Sequence, residues 1–94
     1  MSTPLVPSRR VVAIRNALGV TQEKLAALLG VTVTSVSRWE SGTSAPTGLP
    51  LRLLVMLEGA AHNRDFVAQL RNPRSSDPLY VLYRLLELSY DEDK

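Results

Sequence analysis

Four positions near the middle of the chain carry side chains suited to reading a polar surface: Val33, Thr34, Ser37 and Arg38. Their spacing puts them together on one side of a helix, while Val36 and Trp39, three apart, share the opposite side. The outward side is short, mostly polar and carries one guanidinium. A face of this kind can enter a DNA major groove and present its side chains to base edges. Arg38 could fork onto a guanine, the hydroxyls could donate or accept, and a Val or Thr methyl could pack on thymine.

Other chemistries find little support. His62 is the only imidazole, there is no Cys, and neither stands in a metal-ligand pattern. No phosphate-cradling glycine loop, carboxylate pair or nucleophile elbow is present, so no catalytic residue, metal or cofactor is expected and the chain does not read as an enzyme. The absence of Cys suits a reducing cytosol. The apolar run Leu53 to Leu57 is too short to span a bilayer, and the start shows no signal segment. A cytoplasmic location without membrane contact is therefore expected.

The elements that must position the reading face are short helices. Ser8 can cap one from about Arg9 to Leu18, with Val11, Ile14 and Leu18 on one face and Gly19 beyond the end. Thr21 can cap Gln22–Leu29, which turns Leu25, Ala26 and Leu29 inward before Gly30. Thr32 starts a third helix to about Glu40, stopped by Ser41-Gly42. Thr47 starts a fourth to about Glu58, with Pro50 in its first turn. Asn63 can cap a fifth, Arg64–Arg71, ended by Asn72-Pro73, and Asp77-Pro78 opens a sixth through Leu79 to Leu88. Val31 to Thr34 alternates but is too short to build a sheet. The expected fold is all-α: a bundle of five to six short helices that includes a helix-turn-helix. Gly30 is needed at its joint, where the chain turns with positive φ, and a small residue, Ala26, allows the close helix crossing.

On these residues a resemblance can be stated. The pattern Gln22-x-x-x-Ala26-x-x-x-Gly30-Val31-x-x-x-x-Val36-x-x-Trp39-Glu40-x-Gly42-x-x-x-Pro46 resembles the XRE-type helix-turn-helix family, the DNA-binding domains of phage Cro and repressor proteins. Arg15-x-x-x-Gly19-Val20-Thr21-Gln22 resembles the preceding stretch of the same family. The resemblance implies that Gln22 anchors a phosphate and that Thr32 caps the recognition helix. It places Val33, Thr34, Ser37 and Arg38 against bases or nearby phosphates, and Ser41 and Thr43 on the backbone. It also pairs Arg15 with Glu40, a surface pair of which would contribute no more than about 1 kcal/mol. Trp39 is expected in the core. Arg9 and Arg10 are expected on a solvated face. The loop Thr43-Ser44-Ala45 departs from the family in having no basic residue, which lowers the expected number of phosphate contacts.

The chain has 94 residues and a net charge of +2, too small an excess to argue for a polyanionic partner by itself. Its distribution says more: residues 1–62 hold six basic and three acidic groups, residues 63–94 five basic and six acidic. The division expected is a DNA-binding domain over residues 1–58 and a C-terminal helical extension over residues 59–94 for dimerisation or partner binding. In that extension apolar residues nearly encircle the last helix. A stripe of Leu79, Leu82 and Leu86 can pack on the bundle, leaving Tyr83, Leu85 and Tyr90 outward. Leu79, Tyr83, Leu86 and Tyr90 are the candidates for dimer or partner contact. The partners expected are double-stranded DNA, a second copy of the chain and, through the C-terminal helices, a protein partner. The function expected is a sequence-specific transcriptional regulator, a repressor on an inverted-repeat operator. The alternative is an antitoxin-like or other protein-interaction module built on the same fold.

Overall fold

A computed structural model describes residues 8–71 and 78–91, with side chains in the second segment described at 80, 81 and 83–87. In chain order the helices are α1 (Ser8–Leu18), α2 (Gln22–Leu29), α3 (Val33–Ser41), α4 (Gly48–Ala60), α5 (Arg64–Arg71) and α6 (Pro78–Asp91). No strand occurs among the described residues.

Local chemistry sets most of the helix ends. The Thr21 hydroxyl accepts from the Lys24 N–H at 3.1 Å, and the Asn63 carbonyl oxygen accepts from the Phe66 N–H at 2.9 Å. Each cap satisfies one of the amides that a helix start leaves without a partner. Thr47 occupies the same position before α4 but makes no side-chain cap bond. The residue three beyond it is Pro50, which has no N–H to offer. Ser8, expected as a cap, is instead the first residue of α1.

Helix α3 packs across α2 and α1, α1 also meets α4, and α6 lies on α2 and α4. One hydrophobic cluster runs through the molecule, from Val11, Ile14 and Leu18 through Leu25, Val36, Trp39, Leu54 and Leu57 to Phe66, Leu70, Val81 and Leu85. Trp39 is 6% exposed and belongs to this core, as expected. Gly30 ends α2 with φ of 70°, and its N–H meets the carbonyls of Ala26 and Ala27. The tight joint at Gly30 and the buried Ala26 let α3 cross α2 closely.

The last helix departs from expectation. Among its described side chains Val81 and Leu85 are buried, whereas Tyr80, Tyr83 and Leu86 are exposed. Leu85, expected to face outward, therefore faces the core, and Leu86, assigned to the packing stripe, faces out. The buried residues are four apart, as one face of a helix requires. On a helix apolar almost all round, periodicity alone cannot choose that face. The side chains of Leu79, Leu82 and Tyr90 lie outside those described, as does the stop at Asn72-Pro73.

Candidate nucleic-acid interface

The outward face of α3 depends first on how the helix begins. Thr32 takes an extended backbone, and its hydroxyl accepts from the Ser35 N–H at 3.2 Å while lying 3.1 Å from the Ser35 hydroxyl. That closes the first turn. From it α3 buries Val36 and Trp39 and exposes Val33, Thr34, Ser37 and Arg38. Arg38 has no ion pair or side-chain hydrogen bond to the described residues, so its five donors are available to an outside acceptor.

The end of α3 is also locally tied. Gly42 takes φ of 84°, and its N–H meets the carbonyls of Arg38 and Trp39. The Ser41 hydroxyl donates to the Arg38 carbonyl at 3.1 Å and lies 2.9 Å from the Thr43 hydroxyl. Ser41 and Thr43 thus form one small polar ledge at the end of α3.

Behind this surface, Arg15, Gln22 and Glu40 form one network across α1, α2 and α3. Arg15 Nε donates to Glu40 Oε2 at 2.6 Å and Nη2 donates to Oε1 at 3.1 Å, while Nη1 donates to the Val20 carbonyl at 3.1 Å. Gln22 Nε2 donates to Glu40 Oε1 at 3.0 Å. The side chain of Glu40 is only 9% exposed, and that of Arg15 21%. This pair is largely removed from solvent, so the small value expected of a surface pair does not apply; charge-assisted bonds are shorter and stronger than neutral ones. The Arg15 hydrogen bonds hold the Glu40 carboxyl below its ordinary range against the opposing effect of burial, and Gln22 adds to the lowering. Arg15 is raised in turn, chiefly by its hydrogen bonds to Glu40.

The position of Gln22 follows from this network. One amide hydrogen is committed to Glu40, which leaves the second on the same nitrogen for an anion at the start of α2.

Sequence reasoning missed a second clip. Arg10, expected on a solvated face, donates from Nε to Glu58 at 2.9 Å and ties α1 to α4. The partners are 48 residues apart, and no local pattern relates them. The Arg10 hydrogen bonds hold the Glu58 carboxyl below its ordinary range.

A family model described as helix-turn-helix matches residues 11–55. Residues 11–55 are an XRE-family helix-turn-helix. The family is one of DNA-binding regulators. Within that segment α2 and α3 are the helix-turn-helix pair, Gly30 marks the turn, and Arg15, Gln22 and Glu40 brace it. The match ends inside α4, leaving α5 and α6 outside it. No curated protein and no solved structure matches the chain significantly. Among the described residues no helix is long and apolar enough to cross a membrane.

Proposed function

We propose that the protein is a cytoplasmic transcriptional repressor that binds an inverted-repeat operator as a dimer. The observation that carries this reading is the division of α3, with Val36 and Trp39 in the core and Val33, Thr34, Ser37 and Arg38, which pairs with none of the described residues, outward. Set in a major groove, that face reads bases, while Gln22, Ser41 and Thr43 fix the register on phosphates. A two-fold dimer would place half-site centres about one helical turn, roughly 10–10.5 bp, apart. Residues 59–94 would supply contacts between copies, from the exposed Tyr83 and Leu86 together with Leu79 and Tyr90.

Selection of bound duplexes from a random pool tests this reading. A palindromic motif with half-sites at that spacing supports it, and no enrichment overturns it. A second reading, an antitoxin-like or other protein-interaction module, is favoured by the exposed Tyr80, Tyr83 and Leu86 on α6, at 42%, 59% and 41% exposure. Salt separates the two: DNA affinity falls steeply with ionic strength, whereas docking through an apolar helix face does not.

A further inference from the structure

Gly19, between α1 and α2, takes φ of 70°. A Cβ built on it would run into the Arg71 guanidinium. Arg71 is the last residue of α5, and α5 is anchored by buried Phe66 and Leu70. The fold therefore brings a cation from outside the family-matched segment onto the turn that leads into Gln22.

The guanidinium is not used up in holding this turn together. The Gly19 N–H already meets the carbonyls of Arg15 and Asn16, and the Val20 N–H meets that of Arg15. Arg71 is exposed and makes no hydrogen bond or ion pair with the described residues. Three residues span at most about 10 Å, so Gly19 lies within that distance of Gln22, the phosphate contact proposed above. Arg10, Arg15 and Arg84 are by contrast paired with glutamates.

We infer that Arg71 is an additional phosphate-contact residue, delivered by α5 to the DNA backbone beside the Gly19 turn. The inference rests on the DNA-binding reading above. It assigns the C-terminal extension a direct part in DNA binding, and it supplies a basic group that the loop Thr43-Ser44-Ala45 lacks. Arg71 positions the protein on the backbone and reads no base.

The test uses the full chain and the duplex enriched from the random pool, with affinity measured across a salt series. Arg71→Ala should weaken binding and make the slope of log affinity on log salt shallower by about 0.9. Arg71→Lys should keep the wild-type slope because it keeps the charge. Arg64→Ala, removing another exposed cation of α5, should leave affinity and slope unchanged. A repeated selection with Arg71→Ala should return the same sequence motif. A wild-type slope in Arg71→Ala, with wild-type binding intact, overturns this inference alone. An equal loss of slope in Arg64→Ala overturns it too, because the effect would then be one of general charge. Failure of the wild type to enrich any duplex overturns both this inference and the DNA-binding reading.

Discussion

Arg15 of α1 and Glu40 of α3 meet through two parallel hydrogen bonds, at 2.6 and 3.1 Å, across 25 residues of sequence. The pair ties the last turns of α1 and α3 to each other. Its energetic consequence depends on Glu40 staying ionised. The carboxyl titrates below its ordinary range in the folded chain, so its contribution is fully present above the unfolded value of about 4.3. That contribution is lost as pH falls through the folded value. Glu40→Gln should cost about 1.5–3 kcal/mol at neutral pH, with the gap to wild type closing in acid below about pH 4. Denaturant titrations at several pH values check this; a gap of equal size at every pH would mean that ionisation contributes nothing.

Arg38→Ala removes the one guanidinium of the outward α3 face. It should weaken operator binding by about 1–3 kcal/mol and relax selectivity at a single base position. Binding of the selected duplex that survives Arg38→Ala together with Ser37→Ala would place the reading face elsewhere.

Trp39 is the only tryptophan and lies in the core. Its fluorescence should be blue-shifted in the folded chain and barely change when DNA is added. Strong quenching by DNA would identify it as a base-stacking platform instead. Trp39→Ala should cost about 3–5 kcal/mol by denaturant unfolding, the range for emptying a large aromatic site.

The joint between α2 and α3 makes a conformational demand without a steric one. A Cβ at Gly30 would meet open space, but φ is 70°. Gly30→Ala should therefore cost about 1–2 kcal/mol through backbone strain alone, and Gly30→Asn less. Thr32→Ala, which removes the cap of α3, should cost about 1 kcal/mol. Thermal melts of the three variants check the order.

What could be read from the sequence was what is locally determined. The caps at Thr21, Thr32 and Asn63 and the stops at Gly30 and Gly42 depend on groups within a few residues. The split of α3 into a buried and an exposed face follows from helical period. Two kinds of relation escaped. Arg10 with Glu58 joins distant segments whose approach is decided by tertiary packing. The choice of Leu85 over Leu86 as the buried residue of α6 is made by the surfaces of α2 and α4, which no pattern within α6 encodes. Thr47 starts α4, as expected, with Pro50 in the first turn.

Helix α6 lies on α2 and α4, and its Val81 and Leu85 share a core with Phe66 and Leu70 of α5. At about 1.5–3 kcal/mol each, burial of these four residues contributes about 6–12 kcal/mol. That is a gross gain, from which the entropy of ordering α5 and α6 is subtracted. The helix-turn-helix shares its core with α5 and α6, so a chain cut after residue 58 should unfold at lower denaturant than the full chain. A partner that drew α6 away would thus weaken the support of α2 and α4, and through α2 that of α3, without touching α3 itself.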